Sequence, residues 1–331
     1  MAKVSVVKAT IKKYFNIDVE GNSDSALLED LMRKMEHIPG HLTERQMQLL
    51  LDANVKPAST VINGQEVHYE SLDAAITAIN ATEGGAELFI NKDTEVPAKL
   101  VVKKDATINL DGCVLSNPNN GTIFQVTDGA TITINADGAQ IYGRIDLGTA
   151  PNNNGNVIIN GGEFSCGDDQ TCLHINGTCT DSSVEINGAK IYSPHDNGIQ
   201  LNGSGKFVIN GCEIIGATGV YIKSGEVEIV DSHIVGTMEP ANYSYYGNGA
   251  NATGDGIVID SCEYPGGAPV VHIGDGVTIE ATKDEVGYYE YDANKDGKTD
   301  PATITSEKSI YSVSDGYKWQ KSGGEYELVK K

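Results

Sequence analysis

The sequence predicts an all-β solenoid of about seven coils with a small helical module ahead of it. Three observations carry that prediction. An Ile-Asn-Gly phrase recurs down the chain, short apolar–polar alternations separate its copies, and 38 glycines stand against five phenylalanines and one tryptophan in 331 residues. The phrase reads Ile159-Asn160-Gly161, Ile186-Asn187-Gly188 and Ile209-Asn210-Gly211, with weaker copies at Leu110-Asp111-Gly112, Ala136-Asp137-Gly138 and Val230-Asp231-Ser232. Successive copies lie 20 to 27 residues apart, a period at which each repeat must stack on its neighbours to bury an apolar face.

Residues 1–57 differ in kind. Val4, Val7, Ile11, Tyr14 and Phe15 follow helical spacing. Leu28, Leu31, Met35 and Ile38 form a second amphipathic stretch, opened by Asn22-Ser23-Asp24-Ser25 and stopped at Pro39-Gly40. Thr43 through Gln46 reads as a capping box that opens a third helix through Leu50 and Leu51. Three short helices make a marginal core, which a partner or a second copy usually completes. Four of the five methionines lie here, and adaptable methionine faces suit contact surfaces as well as small cores.

Val55 to Thr60 reads as a linker. Ser71 then caps a helix with Leu72, Ala75, Ile76 and Ile79 on one face, placed over about 71–80 to cover the open apolar end of the first coil. Short strands follow at Glu87–Ile90, Leu100–Val102 and Ala106–Leu110, and each later repeat adds two or three more. Asn-Gly and Asp-Gly supply the left-handed backbone of a sharp corner, and asparagines in one column can stack their amides. The residue after each repeat glycine is small in every copy, including Cys113 and Cys212, so those two read as buried reduced thiols. The pairing of Cys166, Cys172 and Cys179 stays open. Residues 282–331, rich in tyrosine and holding the one tryptophan, close the far end.

Net charge is −22. Residues 1–57 hold eight Lys/Arg against eight Asp/Glu, and residues 58–331 hold 16 against 38. An acidic rod repels nucleic acid and anionic membranes, which excludes both as expected partners, and leaves the neutral segment to lie against another protein. The N-terminal residues lack the apolar run and cleavage pattern of a signal peptide, and no run of 18 apolar residues predicts a membrane span.

The stretch from Tyr69-Glu-Ser-Leu-Asp-Ala-Ala-Ile to Thr107-Ile-Asn-Leu-Asp-Gly, with the repeats after it, resembles the right-handed parallel β-helix of the pectate-lyase-like superfamily over roughly residues 65–280. That resemblance implies three units: a helical module at 1–57, a β-helix at 58–281 and a cap with an acidic loop at 282–331. It implies no single activity, because the fold hosts enzymes, adhesins and viral fibres. Gly167-Asp168-Asp169 is similar to the Gly-Asp-Asp turn of polygalacturonases, which with His195 and Asp196 would be the catalytic set of a lyase or hydrolase. Gly254-Asp255-Gly256 is a further acidic turn at a later coil. The Asn-Thr-Asp, Gly-His-Gly and Arg-Ile-Lys companions of that branch are absent, and Arg144 is the only arginine after residue 57. Corner chemistry is the competing reading of these turns.

A helical module, a linker and an acidic rod resemble, as an architecture, the virion fibres and head-decoration proteins of tailed phages. No motif in residues 1–57 carries that likeness. It implies a structural protein of the virion, a homotrimer, docking on a capsid through Leu28, Leu31, Met35, Met47 and Leu50. A bacterial surface adhesin is the remaining alternative. Tyr243, Tyr245 and Tyr246, set among Asn and Gly in a break of the repeat, offer a stacking surface for host polysaccharide, which Tyr288, Tyr289 and Tyr291 could extend. Asp292, Asn294, Asp296 and Asp300 sit at positions 1, 3, 5 and 9 of an EF-hand-like loop with Gly297 at 6, which predicts Ca2+. Position 12 is Thr303, and no closing carboxylate stands there.

Overall fold

The computed structural model describes residues 55–83, 85–151, 153–167, 170–239, 251–308 and 311–331, with scattered positions between 8 and 34. Most of the expected helical module lies outside the described residues, as do Leu28, Met35, Met47 and Leu50. Leu31 is described and fully buried.

The described chain is all-β with long parallel sheets. Its strands fall into three ladders, which successive repeats visit in the same order. The first ladder runs through Ala86–Ile90, Ala106–Asn109, Thr131–Asn135, Asn156–Asn160, Ser182–Asn187, Gly205–Asn210, Glu226–Val230, Val270–Ile273 and Thr303–Ser306. An antiparallel hairpin flanks it at each end: Ala58–Ile62 with Gln65–Tyr69, and Tyr317–Ser322 with Glu325–Lys330. The second ladder includes Val114–Ser116, Gln140–Tyr142 and Glu163–Ser165, and the third includes Thr122–Val126, Arg144–Leu147 and Leu173–Ile175. Two long strands, Lys190–Leu201 and Glu213–Ile222, pass from the second ladder into the third.

Alternation decides which side chains face inward. In the first ladder Ile134, Ile159, Ile186, Ile209, Ile229 and Ile273 stack in register and are buried. Burying each is worth about 1.5–3 kcal/mol, a contribution that grows with each added repeat. At the strand ends the asparagines stack as expected. Asn135 donates to Asn109 (2.8 Å), Asn160 to Asn135 (3.0 Å) and Asn187 to Asn160 (3.2 Å). The glycine that follows takes φ 68° at Gly161, and Asp231, which replaces glycine in a weaker copy, takes φ 47°.

In the small column after the corner Cys113, Ala139, Ala189, Cys212 and Ser232 are buried, and Gly162 is half-buried. All six cysteines, Cys166, Cys172 and Cys179 among them, are buried and outside any disulfide.

The helix Leu72–Asn80 begins at Ser71, whose hydroxyl accepts from the Ala74 amide, and buries Leu72, Ala75, Ile76 and Ile79. Asn80 ties it to the first strand of the third ladder, donating to Val101 O and accepting from Lys103 N, both at 2.8 Å. Val55–Thr60 is not simply a linker. Ala58–Ile62 is a strand, because Thr60-Val61-Ile62 precedes Asn63-Gly64, whose φ values of 52° and 75° suit a two-residue hairpin turn. At the far end Trp319 donates to Tyr311 O (3.1 Å), and Tyr288 and Tyr317 pack edge to face at 4.8 Å.

Candidate functional site

The outer face of the second ladder carries one column that alternates in size. In register across the strands it reads Ser116, Tyr142, Ser165, Tyr192 and Ile215. Tyr142 and Tyr192 are 42% and 49% exposed, the two most exposed aromatic rings among the described residues. They sit two strands apart, about 9.6 Å at the usual strand spacing. Ser165 in the middle is too small to fill the space between them. The resulting groove of about 340 Å³ is bordered by Gln140, Glu163, Lys190 and Glu213. Glu163 is the hub of that border, accepting from Gln140 Nε2 (3.3 Å) and lying 3.6 Å from Lys190 Nζ. Aromatic walls with carboxylate, amide and ammonium groups along one side can stack on a saccharide and bond its hydroxyls.

Sequence reasoning misses this pair. The signal is present, since Tyr142 and Tyr192 each stand four residues after a repeat glycine, at Gly138 and Gly188. Only aligning the repeats on that glycine brings the column out.

A second cluster occupies the outer face of the third ladder. Asp146 accepts from Thr122 Oγ1 (2.6 Å) and from Arg144 Nη2 (3.0 Å), and lies 3.2 Å from His174 Nδ1. Arg144 Nε also sits 2.8 Å from the carboxylate, but its N–H is not aimed at an acceptor, so Nη2 makes the aligned bond. The network continues from His174 to Asn202, Gln200, Thr171 and Asp196. Burial works against ionisation of Asp146. The His174 hydrogen bond, the Arg144 charge and the Thr122 hydroxyl outweigh it and hold the carboxyl below its ordinary 3.8.

A depressed carboxyl contributes stability that is present above its unfolded value and lost as pH falls through the folded one. Thermal melting of the wild type is therefore expected to drop more steeply below about pH 4 than that of Asp146→Asn, in which this contribution no longer titrates. Parallel acid melting curves for the two proteins would refute the assignment.

Of the candidate catalytic residues, Asp168 and Asp169 lie outside the described residues. Asp196 accepts from Thr171 and from its neighbour Asn197 at a strand corner, and His195 is exposed there. Asp255, in the later acidic turn, is fully buried. It accepts from Thr253 Oγ1, from Tyr289 Oη (2.7 Å) and from the Asp284 amide (3.0 Å), an architectural role. Tyr243, Tyr245 and Tyr246 lie outside the described residues. The expected extension of their surface through Tyr288 and Tyr289 is not found, because Tyr288 is buried and Tyr289 is tied to Asp255.

The acidic loop folds on itself. Asp292 accepts from the amides of Asp296 (3.1 Å) and Gly297 (2.8 Å), and Asn294 Oδ1 from Asp296 (2.9 Å). Its carboxylates do not gather with Asp300. Glu263, from the loop after the strand Ile257–Ser261, brings an oxygen within 4.8 Å of those of Asp292 and Asp296, and accepts from the Asn294 amide (2.8 Å). This all-oxygen donor set suits a hard cation. Its third carboxylate comes from 29 residues upstream of Asp292, where a loop pattern read along the sequence could not show it.

Fold and groove together define a class: an all-β protein of parallel ladders with a tyrosine-bearing groove on its outer face. No family model, no curated protein and no solved structure matches the chain.

Proposed function

We propose that this chain is a right-handed parallel β-helix serving as a structural, non-enzymatic virion protein of the head-fibre or decoration kind. In this reading residues 1–57 dock on a capsid, three copies associate, and the rod holds out a saccharide-binding stripe. The observation that carries the binding role is the Tyr142–Ser165–Tyr192 column, an open slot with Glu163 beside it. The covered ends and the excess of acidic residues beyond residue 57 support a soluble projecting rod.

The test is titration of the whole chain with host-surface polysaccharides and their oligosaccharides, following tyrosine fluorescence and released sugar together. Binding with no reducing or unsaturated sugar formed is the expected result. Release of such sugar would move the function to a polysaccharide lyase or hydrolase, with Asp146 and His174 as the first groups to replace. Absence of binding to every glycan offered would remove the saccharide role.

Calcium at Asp292, Asn294, Asp296 and Glu263 belongs to the same proposal, as a clamp between two loops of the rod. Terbium luminescence sensitised by nearby tyrosine is expected to rise on titration and to be displaced by Ca2+. Glu263→Gln should weaken that binding at least tenfold, and an unchanged titration would exclude Glu263 from the site.

A further inference from the structure

The pair Lys223 and Asp260 has no exposed surface at all, and Lys223 Nζ lies 3.5 Å from Asp260 Oδ2. Lys223 directly follows the strand Glu213–Ile222, and Asp260 lies in the neighbouring strand Ile257–Ser261, where Ile222 pairs with Ile259. Tyr221 donates its hydroxyl to Asp260 Oδ2 at 2.8 Å, while Oδ1 is buried and accepts no hydrogen bond from the described residues. The ammonium sits 4.8 Å from the centre of the Tyr264 ring and 5.7 Å from that of Tyr221. The segment that follows Asp260 forms the lid. Tyr264 lies against Gly177, where a Cβ would overlap its ring, and Gly266 lies against Ser204 and Ser224. Cys262, beside the pair, is buried as well, and burial first and the Asp260 charge second push its thiol up to about 12.

We infer that Lys223 and Asp260 join in an isopeptide bond, a covalent rung between two adjacent repeats. Removing each ion from water is strongly unfavourable, and the mutual attraction offsets this only when every lone pair is satisfied. Here Oδ1 is not. Proton transfer from Nζ to the Asp260 carboxylate, which carries the proton on its unbonded Oδ1, removes both charges and leaves an amine beside a carboxylic acid in a buried, aromatic pocket. The amine lone pair attacks Cγ, and the Tyr221 hydroxyl holds the negative oxygen that forms at Oδ2. A second proton passes from Nζ to Oδ1, the Cγ–Oδ1 bond breaks, and Oδ1 leaves as water. Nζ keeps its last hydrogen as the amide N–H, directed at the Tyr264 face. The change is an ammonium plus a carboxylate giving an amide plus one water, with nothing oxidised or reduced. Fixed proximity supplies the effective concentration, and loss of water from a closed pocket opposes the reverse reaction. The bond closes the loop from residue 223 to 260, so that unfolding between these two repeats no longer separates them.

The experiment is the intact mass of the full chain, folded, purified and then denatured. The expected mass is one water below that of the sequence, with Lys223 resistant to trypsin and its peptide recovered as a branched species joined to the Asp260 peptide. Lys223→Ala and Asp260→Ala should each restore the full mass. Asp260→Asn should still cross-link, now losing ammonia. Wild-type chain kept in denaturant from the moment of lysis should show the full sequence mass and lose water only on refolding, a control that holds even where a variant fails to fold. Folded wild type that keeps its full mass after prolonged incubation overturns the proposal. So does a water loss that maps to an Asp-Gly succinimide and persists in Lys223→Ala.

Discussion

Replacing Tyr142 and Tyr192 together by alanine is expected to weaken saccharide binding about ten- to a hundredfold, with no change in thermal stability. Each ring offers a sugar one apolar face, worth about 0.5–1.5 kcal/mol beyond simple area. Two such faces sum to about 1–3 kcal/mol, and about 1.4 kcal/mol is tenfold in Kd. Both rings are exposed, so the fold has little to lose when they go. Each single variant should retain the ring on one side only and lose about two- to tenfold. Ser165→Tyr is the sharper control, because it fills the slot while adding aromatic surface. A sticky patch would bind better for it, whereas an open slot would close. Equal affinity of the double variant and the wild type by calorimetry would detach the binding role from this groove.

Gly205→Ala is expected to abolish folding at 37 °C, destabilising by more than about 4 kcal/mol, a size reserved for changes the site cannot absorb. Gly205 opens a strand of the first ladder at φ 151°, and an added Cβ would overlap the carbonyl oxygen of Ser182 on the strand beneath. That oxygen is main-chain, in the residue that opens the strand Ser182–Asn187 and pairs in register with Gly205, so relief would require the two strands to part. Gly188→Ala isolates the other half of the argument. It sits at φ 66°, and nothing lies within 4 Å of the place its methyl would take, so it should cost only the left-handed strain of about 1–2 kcal/mol. Urea midpoints of the two variants measure the difference. Similar midpoints would show that contact between repeats is not what makes Gly205 necessary.

Most of the ladder architecture is legible along the sequence, and the reason is local. An inward position in a strand recurs at every second residue, and a corner needs Asn, Asp or Gly, so both are written into five or six consecutive residues. The column of small residues after the corner, Cys113 and Cys212 included, is legible in the same way. The first hairpin escapes the linker reading of Val55–Thr60, although Asn63-Gly64 announces it. The longest ladder has nine parallel strands against the seven or so coils expected from the phrase. The Ile-Asn-Gly signature fades in the first and last repeats, where Phe89-Ile90 and Ile304-Thr305-Ser306 do the same structural work without it.

Sites are less legible because they are built between repeats. Tyr142 and Tyr192 are 50 residues apart in sequence, Lys223 and Asp260 are 37 apart, and Glu263 reaches the Asp292 loop from 29 residues away. Arg144, Asp146 and His174 meet because parallel register sets Asp146 beside His174.

The sequence by itself determined the strand period, the corners, the buried Cys113 and Cys212 and the acidic surface, each a property of a few neighbouring residues and of charge. Only the tertiary structure decided which outward side chains become neighbours. Register between strands is fixed by the sum of many inward contacts, and the outer face inherits whatever juxtaposition that register produces.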